Sequence, residues 1–299
     1  MTLPLPDRLP TPADIPFPFP FPFPQPPSVS QTVPANYHCD NPQVEQKLAD
    51  YLTASGQQSS VSREIYRIAE QQGIQVTVLS NEEYDQRYPG SGGVTVGPSD
   101  AREVFVPERS IENPSDTSLE HELMHAYVET DSSPGTTLYK TAVDTSLSAE
   151  ERQAAAAQLF ENIGGTREQG EAWLEGLDGI PQQVLDGTGD HMLNSATDRL
   201  IYRQKAGQSL DTPETLTIMR NPGKGEAAMY LRGQLNPEEG SPSFWTVLSA
   251  TSALREMYGS EVPSVPIFDI DGARAQLSAF LDAKIADFDA ARNGYATNR

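Results

Sequence analysis

The chain has one cysteine, only four histidines and half as many basic as acidic residues, and each shortage excludes something. Cys39 alone can form neither an intramolecular disulfide nor a cysteine-based zinc site, and it permits a reducing compartment. Lys and Arg number 21 against 42 Asp and Glu, a formal charge of −21 that repels nucleic acid and anionic membranes and favours solubility or basic partners. Neither nucleic acid nor a membrane is therefore expected as a partner. No apolar run approaches the roughly 18 residues of a membrane span. The N-terminus also lacks the basic segment and continuous apolar stretch of a secretory signal. The expected location is soluble, either cytoplasmic or reached by a non-classical export route. At 299 residues the chain is long enough to bury a substantial core, in one large domain or two smaller ones.

Two of the four histidines stand four apart, in His121, Glu122, Leu123, Met124, His125, the pattern HExxH. On a helix, positions i and i+4 share a face, so both imidazoles can converge on one ion. Zinc takes nitrogen ligands at about 2.0 to 2.1 Å, and a catalytic site keeps one position for water. Glu122, next to the first ligand, can then take that water's proton. A helix is expected here on independent grounds. Thr117 and Glu120 form a capping-box pattern, Leu119, Leu123, Ala126 and Tyr127 recur at helical spacing, and Asp131 to Gly135 ends the run.

Around this segment the chain divides into three parts. Residues 1–36 are proline-dense and alternate proline with phenylalanine from Pro16 to Pro24. Proline offers no amide donor and biases its predecessor to extended geometry, so this part is expected as an unstructured arm of polyproline II character, able to dock a partner's aromatic groove. Residues 37–135 are expected to be an α/β subdomain. It begins with a helix started by Asp40 or Asn41 and Pro42, and a second opened by Ser60 or Ser62 and stopped by Gly73. A strand over Ile74–Leu79, an irregular polar stretch over 81–93, and strands at Val94–Val96 and Val104–Val106 lead to the HExxH helix. Residues 136–299 read as helical. Ser148 with Glu151 is a capping box, Thr166 starts the next helix, and further helices are expected near 192–206, 225–235, 243–258 and 271–292. The fold class expected is α+β, a small, mostly antiparallel sheet over the HExxH helix with a helical C-terminal half.

HExxH does not supply its own third ligand, and three residues compete for the role. Asp131 lies six positions after His125, where the similar metzincin pattern HExxHxxGxxH has its third ligand, but Val128 stands where that pattern has a glycine to turn the chain back. His191 lies beside Gly187 and Gly189, which read as a loop that leaves its direction open. Glu171 sits on a separate short helix with Glu175 one turn later on the same face.

Together these features resemble the zincin metallopeptidases, and among them the gluzincins, in which a downstream helix supplies a glutamate ligand within a pattern like ExxxD. The resemblance implies Glu171 as the third zinc ligand and Glu175 as the acid that supports a zinc-bound histidine from behind, with glutamate where that family has aspartate. Leu119 to Ala126 (LEHELMHA) also resembles the NleD-like bacterial effector metallopeptidases, as do Thr197, Asp198, Arg199 and Leu200. The similarity spans roughly residues 100–205. A gluzincin-like site further implies a donor to the oxyanion of the tetrahedral intermediate, for which His191 is the leading candidate, with Tyr139 and Tyr202 as alternatives.

The function expected is that of a zinc metallopeptidase cleaving a protein or peptide substrate, with Zn2+ held by His121, His125 and Glu171 and with Glu122 as general base. It would serve as a bacterial effector if exported. The second reading is a catalytically inactive zincin-like binding module that recruits a partner through the proline-rich arm. It is to be preferred if Glu122 is locked in an ion pair.

Overall fold

A helix leaves its first amides without partners, and this chain meets them with side chains at the positions its sequence marks. Asn41 caps α1 (Pro42–Gln58) by accepting from the amides of Gln43 and Val44, each at 3.0 Å. Ser59 caps α2 (Ser60–Gln72), which ends at Gly73 in the left-handed conformation. Both side-chain and backbone halves of the capping box are present in α6 (Ala149–Asn162), from Ser148 and Glu151, and in α7 (Arg167–Glu175), from Thr166 and Gln169. The computed structural model describes residues 33–39, 41–236, 243–266 and 268–297. All but the end of the expected proline-rich arm lies outside the described residues. Thr32–Arg299 is one compact unit, continuous across the 135/136 boundary expected between subdomains.

The sheet has four strands among the described residues: β1 (Tyr37–Cys39), β2 (Gln75–Leu79), β3 (Val94–Val96) and β4 (Glu103–Pro107). Their order is β1-β2-β4-β3. The β1–β2 and β2–β4 pairs are parallel, with Val76 opposite Val104 and Val78 opposite Val106, and only β3–β4 is antiparallel. The expected mostly antiparallel sheet is thus corrected to a mixed one within the α+β class. Parallel neighbours require crossover connections, and α1 and α2 provide one between β1 and β2. The other, between β2 and β4, carries β3 and also α3 (Asn81–Arg87), a helix in the stretch read as irregular. Ser80 caps it, with Glu82 and Glu83 in its first turn favouring the positive end of its dipole. Val76, Val78, Val104 and Val106 are buried against helices, together with Leu48, Tyr51, Val61, Ile65, Leu119 and Leu123.

The remaining helices are α4 (Ser118–Glu129), α5 (Pro134–Val143), α8 (Gln182–Lys205), α9 (Pro213–Arg220), α10 (Pro222–Gln234), α11 (Phe244–Tyr258) and α12 (Ile270–Thr297). In α12, Leu277 and Leu281 are fully buried and Phe280 packs on them from the margin, as their spacing predicts. No helix among the described residues is long and apolar enough to cross a membrane.

Helix α8 starts ten residues before the helix expected at 192, and the difference decides the site. Gly187 and Gly189 read as loop residues because glycine in a helix interior costs about 1 kcal/mol relative to alanine. Here each admits a tyrosine: a Cβ on Gly187 would collide with the Tyr230 ring, and one on Gly189 would lie 2.6 Å from the Tyr139 hydroxyl. They are close-packing positions, not breaks. With α8 unbroken, its length lies against α4, α5, α10 and α2.

Candidate metal centre

α4 packs beneath β4 and β3 on one side and against α8 on another. Its two motif histidines sit one turn apart with ring centroids 5.0 Å from each other. His191, in the third turn of α8, brings a third ring to the pair, with centroids 4.6 Å from His125 and 6.4 Å from His121. One ring nitrogen from each of His121, His125 and His191 lies within 4.8 Å of the others, a donor set that can hold a metal ion.

The orientation of the α4 rings is fixed from behind by carboxylates on α8. Asp198 Oδ2 is 2.7 Å from His121 Nδ1, and Asp190 Oδ2 is 3.0 Å from His125 Nδ1. Glu129, one turn on from His125, adds its carboxylate at 3.7 Å and is itself paired with Arg102 at 3.2 Å. A hydrogen bond that takes the Nδ1 proton leaves Nε2 as the ring's free donor of an electron pair. His125, Glu129 and Asp190 also form a compact group. The 3.0 Å contact inside it is a hydrogen-bond length, shorter than the separation of about 3.3 Å between two ligands on one tetrahedral zinc. Asp190 is therefore read as a support for His125.

Electrostatics follows this geometry. For His125, burial opposes the charged ring, but the hydrogen bonds of Asp190 and Glu129 and nearby negative charge outweigh it and raise the pKa to about 9. For His121 burial is likewise overcome, by the hydrogen bond and charge of Asp198, and the pKa is raised. Asp190 is held below the usual carboxylate range despite its burial, by His125 and the charge of His191, while burial of Asp198 outweighs His121 and raises its pKa. Carboxylates that favour a proton on an imidazole also favour a metal cation in the proton's place.

Glu122 is buried and lies against β3. The Thr95 hydroxyl donates to its carboxylate Oε2 at 2.8 Å, and also contacts its backbone oxygen at 2.8 Å. Gly93 makes room for this side chain, since a Cβ there would stand 2.6 Å from Glu122 Cγ. Among the described residues Glu122 makes no ion pair, the feature that would have favoured an inactive binding module.

Several expected site residues lie elsewhere. Glu171 is on α7, which packs against α6 and α9, and its carboxylate faces Arg167 at 3.8 Å, apart from the histidine group. Glu175 pairs with Arg220 instead of supporting a histidine. Asp131 is exposed and bound by the Ser99 hydroxyl at 2.7 Å and by Lys140 at 3.5 Å, which ties it to the turn before β4. Tyr139 packs on Gly189, and Tyr202 is exposed on α8. His38 is on β1, bonded to Gln75 at 2.9 Å. His191 is brought to the site, in a position to act as the third imidazole of the group.

The expected capping box at Thr117 also gives way. Thr117 makes no side-chain cap, and Asp116 accepts from the Ser118 amide instead. Glu120 turns inward and is fully buried, receiving hydrogen bonds from Tyr51, Ser55, Ser62, Tyr66 and Lys205. Asp190, Asp198, Thr95 and Glu120 are the residues that sequence reasoning did not assign to the site. A signal for the first two was present: Asp190, Asn194 and Asp198 recur every four residues beside His191, and become one helix face once α8 is continuous.

Comparison of the chain with protein-family models, with curated proteins and with solved structures gave no match.

Proposed function

We propose that this chain is a zinc-dependent metallopeptidase in which His121, His125 and His191 hold the metal and Glu122 is the general base. The observation that carries the reading is the convergence of three imidazoles from two helices, with the Nδ1 atoms of His121 and His125 already engaged by Asp198 and Asp190. Three nitrogen ligands suit zinc, and a tripod of this kind leaves the fourth position for water. Bound there, zinc supplies Lewis acidity and brings its water's pKa towards about 7.

The protein's own groups do the rest. Asp198 and Asp190 keep the two α4 rings in one tautomer and one orientation, so that the donor atoms are arranged before any ligand arrives. Glu122, held by Thr95, takes the proton from the attacking water at its carboxylate and returns it to the leaving amine. Because Thr95 belongs to β3, an outer strand of the described sheet, the residue that steadies the base belongs to a strand with an unpaired edge. A peptide substrate in extended form can add to that edge through main-chain hydrogen bonds, which demand little of its sequence. The mixed sheet above an HExxH helix supports a zincin-like arrangement in which histidine takes the place expected for glutamate.

Metal analysis of protein purified without chelators should give about one zinc per chain. The His121→Ala variant should lose it, and Glu122→Gln should keep it while failing to cleave a peptide library. A wild-type protein that acquires no zinc would overturn the reading.

A further inference from the structure

Resting on this reading of the site, we infer that the buried Glu120–Lys205 pair is a positioning device that sets α8 against α4 so that His191 meets His121 and His125. Glu120 directly precedes His121 on α4, and Lys205 is the last residue of α8. Their side chains are 0% and 2% exposed and meet at 2.9 Å. Lys205 Nζ also donates to the Asp116 carbonyl at 2.8 Å, an oxygen shared with the Tyr51 hydroxyl. Beside it, Gln204 accepts from the Ser59 hydroxyl and the Val61 amide and donates to the Ser60 hydroxyl. The end of α8 is thus bound to the corner between α1 and α2 and to the start of α4.

The spacing turns this anchor into control of the site. At 100° per residue, Asp190, Asn194, Asp198 and Lys205 fall within a sector of about 80° on α8, with His191 at its border. These four residues meet, in order, His125, the His121 carbonyl, His121 and Glu120, so the contacts descend α4 as they ascend α8 and the two helices pack in antiparallel sense. A rotation of α8 by about 10° would carry an imidazole nitrogen, roughly 5 to 6 Å from the axis, through about 1 Å. Metal ligation tolerates about 0.2 Å. Anchoring both helices in a buried, directional contact is therefore suited to fixing a tripod whose third leg comes from the second helix. Four hydroxyls, from Tyr51, Ser55, Ser62 and Tyr66, converge on the same carboxylate, so the contact is directional on the Glu120 side as well. An apolar pair of equal volume would pack there without fixing rotation to the same degree.

The test measures zinc affinity by competition with a chromophoric chelator, at a temperature where circular dichroism shows each variant folded. Lys205→Met is the informative variant, because Glu120 keeps four hydroxyl donors and the stem volume is retained. Leu277→Ala, a core truncation on α12, serves as a control for lost stability alone. The expected result is a loss of zinc affinity of roughly 10- to 100-fold in Lys205→Met, the range seen when support for a metal ligand is removed, with wild-type affinity in Leu277→Ala. Equal affinity in Lys205→Met and wild type, with zinc bound by both, would overturn the positioning role and leave the metal site standing. So would an equal loss in Leu277→Ala. Absence of zinc binding by the wild type would overturn the metal site itself, and this inference with it.

Discussion

Asp198 on α8 lies 2.7 Å from His121 on α4, two residues 77 positions apart whose contact exists only because the helices are packed side by side. The second oxygen of Asp198, Oδ1, is buried without a partner among the described residues, so the carboxylate's interaction is concentrated on the imidazole. Asp198→Ala should therefore lower zinc affinity by about 10- to 100-fold, while Asp198→Asn, which keeps a neutral acceptor, should cost less. Chelator competition on the two variants measures the difference, and identical affinities for both and for wild type would deny Asp198 its role.

Glu122 depends on the space over Gly93. Removing the carboxylate in Glu122→Gln should reduce peptide hydrolysis by roughly 10²- to 10⁴-fold at unchanged zinc content. Gly93→Ala should produce a loss of the same kind with the carboxylate still present, because the added Cβ would stand 2.6 Å from Glu122 Cγ and displace the side chain. Turnover assays alongside metal analysis would separate this from loss of metal, and full activity in Gly93→Ala would show that the position of Glu122 is not critical.

The choice between His191 and Glu171 is open to direct measurement. If the proposed site holds zinc, His191→Ala should reduce zinc content and remove the stabilisation that bound zinc would give against thermal unfolding, about 2.7 kcal/mol at a free concentration 100 times Kd. Glu171→Ala deletes only one side of a half-exposed ion pair and should change stability by no more than about 0.5 kcal/mol. Thermal melts with and without a chelator decide it: a chelator-sensitive His191→Ala protein beside a chelator-insensitive Glu171→Ala protein would reverse the assignment.

Gly170 tests the helical half independently of the metal. A Cβ there would strike the Ala156 carbonyl and lie 2.9 Å from Ala157 Cα, both on α6. Gly170→Ala gains up to about 1 kcal/mol of helix propensity but overpacks backbone that cannot swing aside, a cost of about 1 to 3 kcal/mol. The expected net effect is a lower denaturation midpoint in urea with an unchanged slope.

The legible parts of this protein are those in which the chemistry is local. HExxH specifies three side chains on one turn, because the helix period alone puts His121 and His125 on one face and Glu122 beside them. Asn41, Ser148 and Thr166 mark helix starts because a cap acts across three residues, and Gly73 marks an end because only a residue without Cβ takes its conformation cheaply. Glu120 shows where this logic stops. Its spacing from Thr117 fits a capping box, but a pocket of hydroxyls and Lys205, gathered from three other helices, offers its carboxylate stronger partners than one backbone amide.

Spacing within one segment accounts for the two α4 histidines, the acid between them and the helix that carries them. Packing between distant helices is what brings His191, and not Glu171, to them and sets Asp190 and Asp198 behind the rings. The reason is steric: Gly187 and Gly189 are helix breakers by propensity, and become helix residues when Tyr230 and Tyr139 occupy the space a side chain would need. That packing keeps α8 continuous, and a continuous α8 carries His191 to the site.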